Sequence, residues 1–384
     1  MPKIGAKMRI VDLFSGVGGM TFGFYYSLEN GKFVKNKNCE IVFANEKEIN
    51  TATAFKLNFP NVTMLNRDIK SLTKQSVSNL IGTGEIDMII GGPPCQSFTT
   101  IGTRRYDDKA KLYREYKRLL KIIRPRMFIF ENVKGILSMK DRANNSVLDR
   151  IIKKFENIDD SLGYKVSYET LDAVNFGVPQ YRERVFIIGI RNDLNLTWIF
   201  PNGNDSKLSI KDAICDLPPL KQGKEKTNYE KNPLNSYQEI MRYSNSSLTF
   251  HYAALHSEKI NTVIKNTAQG KGRPDFNLLV DKGIVDETYR LTSGYDNTYG
   301  RLIAKRPCTT ITHNMSTPSS LRCIHYSQDR SLTPREGARI QSFPDWFKFY
   351  GTLSEVKSQI GNAVPPLLAL ALYEQSEKTL SERS

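Results

Sequence analysis

The sequence predicts an α/β fold: a doubly wound, mixed but mostly parallel sheet with helices on both faces, joined to a second, smaller irregular domain. Three observations carry this. Short apolar runs alternate with amphipathic stretches through the first half of the 384-residue chain, the rhythm of strand, helix, strand. After about Asp193 that rhythm breaks, and Gly, Pro, Asn, Lys and Tyr dominate, as in Lys221-Gln222-Gly223-Lys224 and Gln269-Gly270-Lys271-Gly272-Arg273-Pro274. From Pro334 to Glu377 it becomes regular again. The expected division is therefore 1–192 plus 331–384 for the α/β domain and 193–330 for the irregular one.

The first strand is expected over 8–14 and ends in the glycine turn Ser15-Gly16-Val17-Gly18-Gly19, with a helix from Met20 to Leu28. A second strand over 40–44 ends at Asn45-Glu46, and a helix follows to about Asn58. A short third strand over 62–65 ends at Arg67-Asp68-Ile69. The fourth, 86–90, is stopped abruptly by two glycines and two prolines. Over 111–123, Leu112, Tyr116, Leu119, Leu120 and Ile123 recur at helical spacing. A fifth strand (127–130), one further helix and strands over 164–171 and 184–190 complete the series. An amphipathic segment over 335–341 and a final helix over 367–374 close the chain. The 193–330 stretch is expected to hold loops and short strands.

Lys and Arg number 55 against 40 Asp and Glu, a net charge of +15. Such an excess can be solvated surface, but across a chain of this size it also suits a polyanionic partner. The five cysteines, Cys39, Cys95, Cys215, Cys308 and Cys323, form no C-x-x-C pair, so reduced thiols and a cytoplasmic protein are expected. The four histidines share no metal-ligand spacing with them, so no metal is expected. Neither a signal peptide nor a bilayer-spanning run is legible.

The chemistry gathers at strand ends, the edge where open α/β sheets bind ligands. Cys95 follows the Gly91-Gly92-Pro93-Pro94 stop. It could be a small buried filler, or a soft nucleophile presented at the sheet edge. The turn Phe14–Gly19 lets backbone approach a ligand at a helix N-terminus. Glu46 could accept from both hydroxyls of a ribose, and Asp68 from an adenine amine. Singly, each carboxylate reads first as a helix N-cap or a surface charge; their order and placement together favour adenosine. No phosphate-binding lysine follows the glycine turn, which argues against an NTPase.

Six motifs then fall in one order. They are Phe14–Gly19 (FSGVGG), Gly91–Phe98 (GGPPCQSF), Glu131-Asn132-Val133, Gln180-Tyr181-Arg182-Glu183-Arg184, Ser331–Pro344 (SLTPREGARIQSFP) and Gln359–Pro366 (QIGNAVPP). Together they resemble the DNA (cytosine-5-)-methyltransferases of prokaryotic restriction-modification type over nearly the whole chain. The resemblance implies a Rossmann-like, S-adenosylmethionine-dependent methyltransferase domain, with 193–330 as a target-recognition domain on double-stranded DNA. It implies S-adenosyl-L-methionine as cofactor, S-adenosyl-L-homocysteine as product and a flipped cytosine as substrate. Cys95 would add to carbon 6 of the ring. Glu131 would share a proton with the ring nitrogen and accept from the exocyclic amine, which needs a carboxyl protonated near neutral pH. Arg184 would support the base carbonyl, and Arg182 would brace the cysteine loop and a phosphate. The two arginines alternate, so both are expected to face one side.

By position, Phe14, Gly16, Gly18, Gly19, Glu46, Asp68, Ile69, Pro94, Leu112, Asn362 and Val364 would contact the cofactor. One departure stands out: many relatives carry a tryptophan after the ribose-binding glutamate, and here that residue is Lys47. Adenine stacking must then be weaker or come from elsewhere. Arg67 likewise replaces a small residue. The enzyme is expected to be a monomer at the nucleoid; the sequence does not tell whether a cognate restriction endonuclease exists, and one that did would act separately. Two other readings are an RNA (tRNA) cytosine-5 methyltransferase and a catalytically silent DNA-binding protein.

Overall fold

The structure, a computed structural model, describes residues 7–94, 112–141, 143–243, 245 and 247–381. The α/β part runs β1 (Met8–Leu13), α1 (Gly19–Tyr25), β2 (Tyr26–Glu29), β3 (Lys32–Lys35), β4 (Cys39–Asn45), α2 (Ile49–Asn58) and β5 (Thr63–Leu65). It continues with α3 (Lys74–Ile81), β6 (Met88–Gly91), α4 (Tyr113–Ile123), β7 (Met127–Val133), α5 (Val147–Glu156), β8 (Tyr164–Asp172) and β9 (Glu183–Arg191). Seven strands form one sheet in the order β5-β4-β1-β6-β7-β9-β8. Every pairing is parallel except those of β9, which runs antiparallel to β7 and to β8. The sheet is therefore mixed and doubly wound. From β1 the chain moves outward to β4 and β5, then returns to β6 on β1's other side. That reversal places the topological switch point, where a ligand crevice forms, between β1 and β6.

Strand periodicity sorts the core onto two faces. Ile10, Met88, Ile90, Ile129 and Ile188 join α1 and the last helix in one buried cluster. Val11, Leu13, Ile89, Phe128, Phe130 and Ile187 join α4 and α5 in the other.

Local signals account for several differences from the sequence reading. The first helix stops at Tyr25 rather than Leu28, and the chain enters the β2–β3 hairpin. Asn30 and Gly31 both have positive φ, 49° and 73°, the backbone an Asn-Gly hairpin turn demands. The unforeseen α3 begins at a Thr73 side chain accepting from the Ser76 N–H. After Asp193 come α6 (Ile210–Ile214), α7 (Ser236–Arg242), α8 (Glu258–Asn266) and α9 (Arg273–Asp281). The short strands expected there are replaced, among the described residues, by these helices and isolated bridges. The C-terminal part holds α10 (Pro334–Ile340), an unforeseen α11 (Leu353–Asn362), and α12 (Pro366–Ser381), which is longer than expected.

The 193–330 stretch packs in two ways. Trp198, Ile214, Tyr237, Leu248, Cys308 and Ile311 belong to the same buried cluster as β1 and α1. Val263, Phe276, Val280, Val285, Leu291 and Tyr299 form a separate cluster. Fully buried ion pairs tie α10 to its surroundings. Arg339 bonds Asp216 at 2.9 Å and pairs with Asp345, and Arg330 grips both oxygens of Glu336 at 2.6 and 2.8 Å.

Candidate active site

A cavity of about 610 Å³ opens at the ends of β1, β4, β6 and β7. The turn after β1 forms one wall. Phe14 and Gly16 have φ of 56° and 57°, so the backbone coils tightly at the strand end. Gly19 opens α1, where a Cβ would lie 2.3 Å from the Val364 carbonyl oxygen. Only glycine lets the two segments close this wall. Gly18 behaves differently: its missing Cβ faces the rings of Phe55 and Phe59, and it does not line the cavity.

Glu46 follows β4 and stands across from this turn. Its two oxygens accept from the N–H groups of Gly16 at 3.1 Å and Glu48 at 2.9 Å. Burial raises its pKa, against the opposing effect of the Glu48, Gly16 and Lys47 backbone donors. The Asn66 amide donates to the carbonyls of Glu46 and Lys47, pinning the loop. Asp68 caps a short 3₁₀ turn by accepting from the Lys70 N–H at 2.8 Å. Its capping role and its place in the cavity wall coexist. Ile69, Pro94, Leu112, Asn362 and Val364 complete this set.

Sequence reasoning missed Asp12. It lies within β1, is 1% exposed and lines the cavity. Oδ2 accepts from the Thr21 hydroxyl, while Oδ1 has no hydrogen-bond partner. Burial first, and then the nearby Glu46 charge, push its pKa up to about 8, with the Thr21 hydrogen bond opposing. A carboxylate inside the apolar run Ile10-Val11-Asp12-Leu13 was the available signal, because an unpaired buried acid is rare outside functional sites.

The opposite wall holds Glu131, near the end of β7, and Arg184, at the start of β9. Antiparallel register sets Val133 opposite Arg184, and Arg184 Nε meets Glu131 Oε1 at 3.1 Å. Burial raises the Glu131 pKa, and the charges of Arg184 and Arg182 oppose the rise. Gly92 makes room for this carboxyl, since a Cβ there would lie 2.7 Å from Glu131 Oε2. Cys95, one residue beyond Pro94, lies outside the described residues.

Arg182 does not join the cavity wall. It is 1% exposed and donates to the carbonyls of Ile311, Gly361 and Ala363, each at 2.9 Å. It therefore does not share a face with Arg184 at the cavity, and its burial leaves no surface for the external phosphate expected of it. What it does is clamp 311 and the end of α11 behind the site. Among the described residues no group of three or more His, Cys, Asp or Glu is placed to hold a metal ion, and no helix is long and apolar enough to cross a membrane.

A doubly wound sheet with an acid-lined crevice at its switch point defines an α/β protein with its largest described opening at the edge where such sheets bind ligands. More particularly, the chain belongs to the C-5 cytosine-specific DNA methylase family, whose model matches residues 8–378. It is 35% identical over 392 residues to Type II methyltransferase M.DdeI of Desulfomicrobium norvegicum, covering 96% of this chain and 88% of that one. It is 32% identical over 375 residues to Type II methyltransferase M1.HphI of Haemophilus parahaemolyticus, covering 96% and 86%. The fold matches a solved structure described as a DNA modification methyltransferase encoded within an E. coli prophage. That match has a TM-score of 0.74 at 24% identity and covers 98% of this chain and 100% of that one.

Proposed function

We propose that the protein is an S-adenosylmethionine-dependent DNA (cytosine-5-)-methyltransferase of a restriction-modification system, acting through a covalent Cys95 adduct on a flipped cytosine. The observation that carries this reading is the shared cavity. The Glu131–Arg184 pair, suited to a pyrimidine edge, opens onto the same space as Asp12, Glu46 and Asp68, suited to a cationic nucleoside. The relatives' description as Type II methyltransferases supports DNA over RNA as substrate.

The residues present fit the cofactor. The unpartnered Oδ1 of Asp12 would take an ammonium group, Glu46 the ribose hydroxyls, and Asp68 with Ile69 the adenine edge, while the turn at Gly16 and Gly19, with Asn362 and Val364, would wall the amino-acid part. When bound, it supplies an electrophilic methyl group on a sulfonium.

The chain's own residues do the rest. The base leaves the duplex, a cost of a few kcal/mol. Cys95 thiolate adds to carbon 6. Glu131, its pKa raised by burial, donates a proton to the ring nitrogen as charge arrives there. Arg184 holds the base carbonyl, and Arg182 stiffens the backbone behind it. Carbon 5 then gains the methyl group and loses its proton to a base such as water. The carbon–sulfur bond breaks, thiolate leaves, and the ring-nitrogen proton returns to Glu131. Residues 193–330 would grip and read the DNA.

The test is covalent capture. Sites of 5-methylcytosine are mapped in DNA from cells expressing the protein, and duplexes carrying 5-fluorocytosine at that site are then incubated with protein and cofactor. Wild type should cross-link; Cys95→Ala should bind the duplex without cross-linking or methylating. A Cys95→Ala variant that still methylates would refute the mechanism.

A further inference from the structure

The acids along the cavity wall are not equally provided for. Glu46 accepts from the N–H groups of Gly16 and Glu48, Asp68 accepts from the Lys70 N–H, and Glu131 meets Arg184 at 3.1 Å. Each has a backbone donor or a cation that favours its charged form. Asp12 has a single hydroxyl donor, Thr21, on Oδ2, and its Oδ1 is bare. It is also 1% exposed, so little water reaches it.

Nothing packed around Asp12 compensates a charge there. Beside it in the sheet lie Ala44 of β4 and Ile90 of β6. From α1 comes the Thr21 hydroxyl, and beyond the end of β4 stands Glu46, an acid. On α4 the titratable group that senses Asp12 is Tyr116, a neutral phenol whose hydroxyl lies 3.1 and 2.9 Å from the Ile89 and Ile129 carbonyls. The cations of the cavity wall act elsewhere. Arg184 serves Glu131 and Lys47 serves Glu48, the latter at 3.4 Å, and neither they nor Lys70 act on Asp12. An unpaired carboxylate taken out of water is costly, and a second carboxylate nearby adds repulsion, so such a group is held neutral instead. Burial accordingly pushes the Asp12 pKa up to about 8, with Thr21 opposing and Glu46 adding to the rise.

The nucleoside assigned to this cavity brings the missing cation. An ammonium against the bare oxygen reverses the balance, because an opposite charge at close range favours the ionised carboxyl. Below pH 7 the ligand's α-amino group is already an ammonium. The proton that must leave is therefore the protein's.

We propose that S-adenosylmethionine and S-adenosylhomocysteine bind with expulsion of one proton from Asp12, so that the empty site is neutral at this carboxyl and the filled site holds an ion pair. The carboxyl O–H bond breaks, its electron pair stays on oxygen, and the proton passes to solvent. This rests on the methyltransferase reading and adds a proton linkage to it. Affinity rises with pH, by up to about tenfold per unit while Asp12 is protonated in the free protein, and levels off near pH 8. A nucleoside without the amine leaves the proton in place.

The experiment is calorimetry of S-adenosylhomocysteine binding to the full chain at pH 6.5, in buffers of small and large ionisation enthalpy, for wild type, Asp12→Asn and Glu46→Gln. The dependence of the heat on the buffer counts the protons exchanged. Wild type should release roughly 0.7–1 proton per ligand bound, and its affinity should rise about fivefold or more from pH 6 to pH 7. Asp12→Asn should release less than about 0.2 proton and bind with little dependence on pH, whereas Glu46→Gln should still release most of it. Wild-type heats that do not depend on the buffer would overturn the inference and leave the methyltransferase reading standing, and this arm needs no variant to fold. Release lost in Glu46→Gln and kept in Asp12→Asn would overturn the assignment to Asp12. A wild-type chain that binds neither S-adenosylhomocysteine nor S-adenosylmethionine would overturn this inference together with the cofactor it rests on.

Discussion

Asp12 is the residue at which burial and binding conflict most directly. Its carboxyl has one hydroxyl donor and one bare oxygen, and its pKa is pushed up to about 8 by burial and by Glu46, against Thr21. The unfolded chain holds this group near its ordinary value of 3.8. A folded pKa above the unfolded one means a contribution present in full below about pH 4 and lost as pH rises toward 8. Asparagine does not titrate. The ligand-free Asp12→Asn variant should therefore gain thermal stability relative to wild type as pH rises from 5 to 8. It should at the same time bind S-adenosylhomocysteine at least tenfold more weakly. Melting curves at pH 5 and pH 8 decide it, and a variant that loses stability relative to wild type as pH rises would be the wrong sign. Glu131 carries the same conflict more mildly, because Arg184 at 3.1 Å partly offsets its burial.

At the scale of elements, the site depends on how closely segments approach. The first turn of α1 lies against the strand of chain between α11 and α12, and Gly19 is the contact. In Gly19→Ala the new methyl group meets backbone 2.3 Å away, so the wall itself must move. We expect a loss of about 1–3 kcal/mol in stability and weaker S-adenosylhomocysteine binding, read by denaturation and calorimetry. Unchanged affinity would mean that the Val364 segment is not part of the binding wall. The β7–β9 pairing has a matching role. Only an antiparallel strand beside β7 starts, rather than ends, at the ligand edge, and this is how Arg184 reaches Glu131.

For the molecule as a whole, α10 meets its surroundings through buried ion pairs, in which removing one partner leaves a buried charge uncompensated. Glu336 is 1% exposed and grips Arg330. Burial opposes its charge, but Arg330 more than offsets this and holds its carboxyl well below the usual range. A depressed folded pKa contributes stability above pH 4.5 that is lost as pH falls. Glu336→Gln should cost about 3–5 kcal/mol at pH 7 because Arg330 is left uncompensated, and the deficit should narrow on acidification. Denaturant melts at pH 7 and pH 4 test both statements. His325 and His251 lie in the same network with pKa values lowered chiefly by burial, His325 to about 3, so neither supplies the missing charge.

Much of this was written in the linear chain. Strand-end chemistry is local: an apolar run, a stop and the next polar residue are adjacent in sequence, so Phe14, Glu46, Asp68 and Glu131 could be placed at one sheet edge from spacing alone, and all four line one cavity. Tertiary packing decided what depends on distant partners. Asp12 became a cavity residue because a helix and a neighbouring carboxylate enclose it. Arg182 turned inward because three carbonyls, at positions 311, 361 and 363, converge on it. Two arginines two positions apart thus took opposite fates. Alternation along a strand holds only while the strand lasts, and Arg182 lies just before β9 begins.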